Sequence, residues 1–594
     1  MEAVFSKENR HAPLRSIFPC PAGRQPRLRR SPLALMVATA LAAVSAASAV
    51  PAGAATAPAG APPATTLASG SATAGSGSTA TTMAASGVTA ATTATNASTA
   101  VNTSTAAGNA VTAAGTRNAD ASSPMNALDF SRLQPVSRTT TVNGQTVAYR
   151  AFENIVYVAN PVNAEYQAMN IYIPEAYFKG GKVNGYTADT APIFLPNQVG
   201  GYMPGKPGVP GQAGHGPRKA GEADAMQVAL SRGLVVASPG ARGRTQATGK
   251  APAAIVDLKA AVRYLKHNDA AMPGDANRII SNGTSAGGAL SVLLGASANQ
   301  PDYEPYLKAL GAADAPDDIF AVSAYCPISI LEQADAAYEW EFNGVDDYAR
   351  IDMRQIDFHV ERKLVKGVLT SEQKKISSQL KPLFTEYVNA LHLLGPDGRK
   401  LSLDAQGNGS FKTHVTSYLA ASAQKQLDAG KDLSDRGWLA LQDGKVKAVD
   451  FAAFARAAGR QKTPPAFDGL ALDNGENQEF GTDTVDARHF TAYSAAHSTV
   501  KDAGVADAQT VRLMNPMNYI AHRQAGPQHW RVRVGAADRD TSHAIAVILA
   551  TRLQNTGKQV DLFMPWDAPH NGDYDLDELF GWIDRTVAAG KGER

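Results

Sequence analysis

Strands and helices alternate in two stretches of the chain, on either side of a long middle section that lacks this alternation. In the first stretch, runs of apolar residues with strand spacing are followed by turns and by helical patterns. This order is typical of a parallel sheet with crossover helices. The predicted elements of this stretch are strands at 169–173, 191–195, 233–238 and 319–324 and a helix at 254–267.

Folding is predicted to begin near Leu128, with a β-hairpin as the first clear element. Residues 140–142 and 145–149 alternate between apolar and polar side chains, and Asn143-Gly144 lies between them. Asn-Gly between two alternating segments is the strongest short-range hairpin signal, because both residues tolerate positive φ.

The alternation stops after Pro327. Residues 327–525 contain helical stretches such as 418–427 but no regular sequence of strand and helix. Alternation then resumes with predicted strands at 530–534 and 560–564, a helix at 542–554 and a last amphipathic helix through Leu576, Leu579, Trp582 and Ile583. The simplest topology is one α/β domain, in segments 126–326 and 526–594, interrupted by a large inserted cap (lid) domain at 327–525.

The first 49 residues predict a secretory signal peptide. A basic lead ending at Arg30 precedes an apolar run at 33–44, and Ala47-Ser48-Ala49 has the small residues of a cleavage site. We expect a secreted protein, extracellular or periplasmic, with no membrane span in the mature chain; an uncleaved anchor is the alternative. Residues 50–125 are almost wholly Ala, Thr, Ser and Gly, which predicts a disordered linker. A passive linker is favoured over a surface tether.

Charge and cysteine content exclude several classes of function. The formal net charge is +2, and no basic stripe interleaved with aromatic residues predicts a nucleic-acid partner. Cys20 lies in the predicted signal peptide, which leaves Cys326 as the one cysteine of the mature chain. We therefore expect no internal disulfide and no cysteine cluster for a metal. With no phosphate loop either, the sequence predicts neither a cofactor nor a metal.

A candidate nucleophile lies where a predicted strand runs into a helix. Residues 278–282 form a short apolar strand, Gly283-Thr-Ser285-Ala-Gly287 forms the turn, and a helix of small residues follows. This context is that of a nucleophile elbow. Side chains at 283 and 287 would collide with the neighbouring strand and helix, and the N–H of Ala286 at the helix start would stabilise an oxyanion. The alternative is a Gly-Ser-rich turn that arose by chance.

The second oxyanion donor is expected in the glycine-rich loop after the strand at 191–195. In serine hydrolases of this topology that loop supplies an amide, and adjacent glycines permit a close backbone approach. Gly200 or Gly201 is the candidate. An ordinary surface loop would have a similar sequence.

A serine hydroxyl needs a base, and the base needs a buried acid to orient it. In α/β-hydrolases the order along the chain is Ser, then Asp or Glu, then His, each on a loop after a core strand. His570 follows the strand at 560–564 and is the predicted base. Asp538 is favoured as the acid because it lies nearest the end of the strand at 530–534. Asp540 is the rival, with capping of the helix at 542–554 as its alternative role.

Four motifs, spread over the chain from about Leu128 to the C-terminus, are similar to those of one known family. They are Gly283-Thr-Ser285-Ala-Gly287-Gly, Gly200-Gly201-Tyr-Met-Pro-Gly, Ala537-Asp538-Arg-Asp540-Thr-Ser and Pro565-Trp-Asp-Ala-Pro-His570-x-Gly-Asp-Tyr-Asp575. With them the chain resembles the bacterial tannases, tannin acyl hydrolases of the α/β-hydrolase fold. The resemblance implies a triad of Ser285, Asp538 and His570, and assigns Asp540, Lys462 and Glu476 to substrate binding.

The chemistry of a galloyl ring agrees with that substrate set. Its three adjacent phenolic hydroxyls both donate and accept hydrogen bonds, so two carboxylates and an ammonium suit them. A site built around such hydroxyls rejects analogues that lack them by factors on the order of 10⁴. Without the resemblance, Lys462 and Glu476 would be assigned to solvated loops, because their neighbours are polar.

The sequence therefore predicts a secreted serine esterase that hydrolyses galloyl ester and depside bonds of tannins and alkyl gallates to release gallic acid. Its partner would be a small polyphenol ester. The alternatives are a feruloyl esterase or other carboxylesterase, a prolyl-oligopeptidase-like hydrolase of the same fold, and a catalytically inactive polyphenol-binding protein. Fungal-type tannases and their feruloyl-esterase relatives link the Ser and His loops by a disulfide. That branch is disfavoured, because no cysteine is beside Ser285 or His570.

Overall fold

The computed structural model describes residues 128–212, 222–356, 359–520 and 526–590. The predicted signal peptide at 1–49 and linker at 50–125 lie outside the described residues. The described strands are β1 (Val136–Val142), β2 (Gln145–Val156), β3 (Ala168–Pro174), β4 (Pro192–Pro196), β5 (Val235–Pro239), β6 (Asp275–Thr284), β7 (Ala321–Tyr325), β8 (Asp347–Ile356), β9 (His359–Val368), β10 (Leu439–Gln442), β11 (Lys445–Val449), β12 (His529–Arg533) and β13 (Gln559–Phe563).

The described helices include long ones that cover the sheet and shorter ones within the insertion. They are α1 (Ala225–Ser231), α2 (Ala253–His267), α3 (Ala286–Ala296), α4 (Glu304–Ala309), α5 (Leu331–Phe342), α6 (Ser371–Leu391), α7 (Ser410–Asp428), α8 (Phe451–Ala458), α9 (Gly475–Glu479), α10 (Ala492–Ala496), α11 (Ala508–Leu513), α12 (His543–Asn555) and α13 (Leu576–Ala589). In the part of the chain described, no helix has the length and apolar character that a bilayer crossing requires.

A nine-stranded mixed sheet forms the centre of the fold, in the order β1-β2-β3-β5-β4-β6-β7-β12-β13. Strands β1, β2, β3 and β5 pair antiparallel, and the pairs from β5 to β13 are parallel. Asn143 and Gly144 form the β1–β2 turn with φ of 49° and 77°, so the predicted hairpin is confirmed. Because parallel strands end at the same edge of a sheet, the loops after β4, β6, β7, β12 and β13 meet there.

Helix α3, which begins one residue after the candidate nucleophile, lies in the middle of the core. All eleven of its residues are buried, as expected for a helix that is apolar on every side. It packs against β6 and β7. The elbow is thus anchored to the most deeply buried part of the molecule.

The insertion lies between two neighbouring strands. β12 pairs in parallel with β7, with His529 opposite Ala321, although helices α5 to α11 and four strands separate them along the chain. The predicted α/β-hydrolase fold with a large inserted cap is confirmed. The sequence did not predict the hairpins β8–β9 and β10–β11 within the insertion. The β10–β11 hairpin carries a local signal that was overlooked, because Asp443-Gly444 lies between Leu439–Gln442 and Lys445–Val449 and has φ of 51° and 68°.

Helix α5 packs against other helices of the insertion through a cluster of aromatic rings. The indole of Trp340 lies 4.9 Å from the ring of Phe451, 5.3 Å from that of Phe384 and 6.0 Å from that of Phe411, measured between ring centroids. Tilted aromatic contacts of this kind stabilise by about 0.5–1.5 kcal/mol each beyond the burial of area. The cluster therefore gives the insertion a core of its own.

A fully buried ion pair connects α5 to the segment that carries Lys462. The guanidinium of Arg460 pairs with the carboxylate of Glu339, and neither side chain is exposed. Arg460 also donates to the carbonyls of Val345, Phe342 and Lys462. These contacts fix the backbone just before Lys462.

We expect Arg460→Met to lower the free energy of unfolding by about 3–5 kcal/mol, because the substitution leaves a buried carboxylate without its partner. Urea denaturation followed by circular dichroism measures the change. Lys445→Met is the matched control, since Lys445 pairs with Asp428 at 3.6 Å where both side chains are about 60% exposed, and such pairs contribute about 0–1 kcal/mol. Equal losses in the two variants would contradict the expectation.

Candidate active site

Ser285 occupies the strained turn that the elbow motif predicts. Its φ is 61° and its ψ is −123°, a conformation that side chains disfavour. Its N–H donates to the carbonyl of Tyr325 at 2.9 Å, and its own carbonyl accepts from Ala289 at 2.9 Å. Ala286 is the first residue of α3, so its N–H belongs to the helix turn that has no intrahelical acceptor.

The glycines around Ser285 leave no space for a side chain. A Cβ at Gly283 would lie 2.3 Å from the carbonyl oxygen of Gly287, and a Cβ at Gly287 would lie 2.6 Å from the carbonyl oxygen of Val199. The amide of Asn197, which the sequence analysis did not identify, fills the remaining space and donates to Gly287 O at 3.0 Å and to Ser291 Oγ at 3.1 Å. The loop after β4 therefore lies directly against the elbow.

That loop contains the two candidate oxyanion donors, Gly200 and Gly201. The carbonyl of Gly200 accepts from the N–H of Met203 at 3.0 Å, which closes a turn. Gly201 and Tyr202 both have φ of 55°. The hydroxyl of the buried Tyr202 donates to the carbonyl of Ile328 at 2.9 Å, which anchors the turn to the segment after β7.

His570 and Asp538 form a close pair. Nδ1 of His570 lies 2.8 Å from Oδ2 of Asp538, whose side chain is fully buried. The other oxygen of Asp538 accepts from the N–H of Asp540 at 2.8 Å. Because the carboxylate is an acceptor, Nδ1 carries the proton and Nε2 has a free lone pair. Among the described residues Nε2 is buried without a hydrogen-bond partner, so the expected bond from the hydroxyl of Ser285 is not formed in this structure.

The loop that carries His570 is pressed against the strand that leads to Ser285. A Cβ at Gly572 would lie 1.8 Å from Oγ1 of Thr284, so only glycine fits there. The amide of Asn282 in β6 donates to the carboxylate of Asp573 at 3.1 Å. These two contacts bring the His570 loop and the elbow together.

Two opposing effects set the pKa values of the pair. Burial alone would lower the pKa of His570, but the carboxylates of Asp538 and Asp540 raise it, and the net result is a pKa well above its usual value. Burial alone would raise the pKa of Asp538, but His570 and His543 lower it, and its pKa ends below the usual value. The acid thus stays ionised, and the imidazole is a stronger base than a free one.

Cys326 lies beside the pair, which corrects the inference that no cysteine is near His570. The thiol donates to the carbonyl of Asn571 at 3.3 Å, and its sulfur, a ring nitrogen of His570 and an oxygen of Asp538 lie within 4.8 Å of one another. Burial raises the pKa of the thiol, so it is neutral. A signal was present, because Cys326 follows a core strand just as the triad candidates do. The cysteine is free.

Two of the three predicted substrate residues meet at the edge of the His570–Asp538 pair. The ammonium of Lys462 lies 3.5 Å from the carboxylate of Asp540, with side-chain exposures of 20% and 25%. The ammonium also lies 3.9 Å from the ring centroid of Phe467. A freely solvated loop does not fit this burial for Lys462. Ser542, not Asp540, caps α12, because the hydroxyl of Ser542 accepts from the N–H of Ala544.

Glu476, the third predicted substrate residue, lies in α9 and is half-buried. Its neighbour Glu479 in the same short helix is fully buried. Burial raises the pKa of the buried Tyr202, and the carboxylates of Glu479 and Glu476 raise it further. Arg244 places α9 next to the loop that contains Tyr202, because its side chain donates both to the carbonyl of Gly201 and to Oε1 of Gln478 in α9.

Tyr338 in α5 is a buried junction that the sequence analysis missed. Its hydroxyl accepts from the N–H groups of Gln461 and Lys462, both at 3.0 Å, and donates to the carbonyl of Arg539 at 2.9 Å. The hydroxyl thereby ties the Lys462 segment to the loop between Asp538 and Asp540. No local pattern could have revealed it, because a tyrosine in an apolar helix is usually a core residue.

Comparison with known proteins agrees with this geometry. The BD-FAE family model matches residues 193–356, and no match to a curated protein was found. The crystal structure of Fusobacterium nucleatum tannase is 49% identical, covers 77% of this chain and 99% of its own, and has a TM-score of 0.74.

Two further solved structures are similar to the chain over the same region. The native tannin acyl hydrolase from Lactobacillus plantarum is 47% identical, covers 78% of this chain and 100% of its own, and has a TM-score of 0.73. A tannin acyl hydrolase in complex with ethyl gallate has the same four values. At this identity and coverage the predicted family is confirmed: the chain belongs to the tannases, the tannin acyl hydrolases of the α/β-hydrolase fold.

Proposed function

We propose that this chain is a serine esterase that hydrolyses galloyl esters and depsides to gallic acid and an alcohol. The observation that carries the proposal is the His570–Asp538 hydrogen bond, held on a loop that packs against the Ser285 elbow. Membership of the tannase family supports the substrate class, since a relative 47% identical binds ethyl gallate.

The acylation step uses the free lone pair of His570. Nε2 accepts the proton of the Ser285 hydroxyl as Oγ attacks the ester carbonyl, and Asp538 stabilises the imidazolium that forms. The N–H groups of Ala286 and of Gly200 or Gly201 hold the oxyanion, and each donor lowers the barrier by roughly 3 kcal/mol. His570 then donates its proton to the leaving alcohol, and a galloyl ester remains on Ser285.

Deacylation repeats the same proton transfers with water as the nucleophile. His570 takes a proton from the water, the oxyanion forms again at the same donors, and gallic acid leaves as Ser285 regains its proton. The high pKa of His570 favours proton acceptance in both half-reactions. Its orientation depends on the bond from Nδ1 to Asp538.

Recognition of the galloyl ring is assigned to Lys462, Asp540 and Glu476. The Lys462–Asp540 pair offers donors and an acceptor within 3.5 Å of each other, which suits adjacent phenolic hydroxyls. Both groups are tied to the triad: Asp540 donates its N–H to Asp538, and Lys462 is held by Tyr338. The phenolic hydroxyls are thus bound close to His570, the proposed base.

We also propose export through the N-terminal segment, with cleavage after Ala49. Its support is the basic lead, the apolar run at 33–44 and the small residues at 47–49.

We expect Ser285→Ala to retain the fold and to lose detectable release of gallic acid from methyl gallate, because no other group can form the acyl-enzyme. Liquid chromatography measures the product. The same assay with methyl ferulate and a peptide anilide separates the galloyl esterase from the rival hydrolases. Covalent labelling of Ser285 by a fluorophosphonate separates it from an inactive polyphenol-binding protein. Turnover by the variant would refute the assignment of Ser285.

The rate of fluorophosphonate labelling should fall as pH drops through the pKa of His570, since a protonated imidazole cannot accept the Ser285 proton. Asp540→Asn removes a carboxylate that raises this pKa, so the midpoint should move to lower pH. Asp567→Asn is the matched control, because Asp567 lies in the loop that carries His570 and its side chain is 56% exposed. This variant should leave the midpoint in place. A midpoint that both variants shift equally would contradict the role of Asp540.

We expect Lys462→Met to reduce kcat/KM for methyl gallate by roughly 10- to 100-fold, the effect of losing hydrogen bonds to a charged group. Turnover of methyl benzoate, which has no phenolic hydroxyls, should change little. Lys447→Met, at an exposed position of β11, serves as the control in steady-state assays with both esters. An equal loss on the two substrates would show that Lys462 acts on the fold and not on the galloyl ring.

A further inference from the structure

Arg244 binds the turn that contains the oxyanion candidates through both its backbone and its side chain. Its N–H donates to the carbonyl of Tyr202 at 2.8 Å, and its Nε donates to the carbonyl of Gly201 at 2.6 Å. A Cβ at Gly243 would lie 2.4 Å from the backbone of Met203 and Pro204, so the two chain segments are in direct contact. The Arg244 segment follows β5, the neighbour of β4 in the sheet.

The hydrogen bond from Arg244 to the carbonyl of Gly201 helps to fix the direction of the N–H groups in this turn. Each N–H is antiparallel to the carbonyl of its own peptide unit. The N–H of Gly201 belongs to the same peptide unit as the carbonyl of Gly200, which accepts a hydrogen bond from Met203. The next peptide unit contains the carbonyl of Gly201, which accepts a hydrogen bond from Arg244. Both peptides that flank the Gly201 Cα are therefore fixed by hydrogen bonds.

The turn needs such support because its backbone is strained. Gly201 and Tyr202 are consecutive residues with φ of 55°. Glycine adopts this region at little cost, but for a tyrosine it is a strained conformation. Residues in this region persist only where the surroundings hold them, and here a freed Gly201 peptide could rotate away.

The other end of the Arg244 side chain reaches the inserted cap. One terminal nitrogen donates to Oε1 of Gln478 at 2.6 Å. A Cβ at Gly475 would lie 2.8 Å from the guanidinium carbon, so the start of α9 is packed against it. Helix α9 also contains Glu476, to which galloyl binding is assigned. One guanidinium thus touches the oxyanion loop and the substrate-binding helix.

The charged groups around Arg244 do not compete for its donors. Lys250 donates to the backbone carbonyl of Arg244 at 2.6 Å and pairs with Asp486 at 2.8 Å. Glu479 is fully buried, and burial raises its pKa to about 8 against the opposing effect of Arg244 and Lys250. Its carboxyl is therefore protonated at neutral pH. Neither of its oxygens has a hydrogen-bond partner among the described residues.

We propose that Arg244 is a positioning residue that couples the cap helix α9 to the oxyanion loop. Through Arg244, binding of the galloyl ring at Glu476 holds the turn at Gly201 and Tyr202 in its catalytic orientation. The inference rests on the proposed galloyl esterase function. It assigns Arg244 no contact with substrate. Its contribution belongs to the transition state, because the turn that it holds at Gly201 and Tyr202 carries the candidate N–H of Gly201, which meets full negative charge only there.

Arg244→Met keeps the aliphatic stem and removes the donors. We expect it to lower kcat for methyl gallate by roughly 10- to 100-fold with KM changed less than about threefold, a part of the effect of losing one oxyanion donor. Gallic acid affinity, measured by calorimetry in the Ser285→Ala background, should likewise change less than about threefold. Arg399→Met, 88% exposed in the cap, is the matched control. A raised KM with unchanged kcat would overturn the proposal.

Gln478→Leu removes the contact between Arg244 and the cap, together with the exposed bonds from Gln478 to Asp486, and leaves the bonds from Arg244 to the loop in place. It therefore separates coupling from simple support of the loop. It should slow methyl gallate while leaving methyl benzoate near the wild-type rate, whereas Arg244→Met should slow both. In the double variant the two losses on methyl gallate should not add. Equal effects of Gln478→Leu on the two esters, or additive losses, would overturn the coupling.

Two measurements distinguish a failure of the role proposed for Arg244 from a failure of the proposed galloyl esterase function. If the wild-type enzyme releases gallic acid and Arg244→Met does so at the same rate, only the role of Arg244 fails. If the wild-type enzyme neither releases gallic acid nor reacts with a fluorophosphonate, the proposed function fails. Should Arg244→Met not fold, as judged by circular dichroism, Arg244→Lys with Gln478→Leu still tests the coupling.

Discussion

The absence of space around Ser285 is the constraint on which the whole site depends. Three glycines, at 283, 287 and 572, sit where a single added carbon would overlap a neighbouring backbone or side chain. The elbow, the loop after β4 and the His570 loop therefore approach more closely than ordinary side chains allow. This packing holds Ser285 at a φ of 61° and brings separate segments of the chain to one point.

The polar groups behind the triad form a second layer that links core and cap. Tyr338 connects Lys462 to Arg539, and Arg460 connects the same segment to Glu339. Arg244 connects Gly201 to Gln478. The links through Tyr338 and Arg244 cross between core and cap, whereas the Arg460–Glu339 pair lies within the insertion. The cap is thus hydrogen-bonded to the core beside Asp538 and beside Gly201.

The features that were predicted from sequence are those encoded by neighbouring residues. The Asn143-Gly144 hairpin, the Ser285 elbow and the strand ends before Asp538 and His570 are local patterns with a known geometry. The fold class followed from the alternation of such elements. The pairing of Asp538 with His570 could be anticipated because parallel strands end at one edge.

What sequence could not show depends on contacts between distant segments. Nothing near Tyr338 or Arg244 indicates which carbonyl each will meet, and Asn197 gains its importance only from the helix start beside it. Cys326 was set aside because its neighbours in sequence are not triad residues, although the sheet places it beside His570. The β10–β11 hairpin is a different case, because Asp443-Gly444 is a local turn signal of the same kind as Asn143-Gly144 and was overlooked.

The order of the strands has a consequence for biosynthesis. The proposed nucleophile follows β6, the proposed acid and base follow β12 and β13, and the entire insertion is translated between them, although β7 and β12 are neighbours in the sheet. A nascent chain therefore displays Ser285 long before it contains an imidazole able to activate it. Under the proposed assignment, activity begins only after residue 570 has been synthesised and the loop after β13 has folded against the elbow.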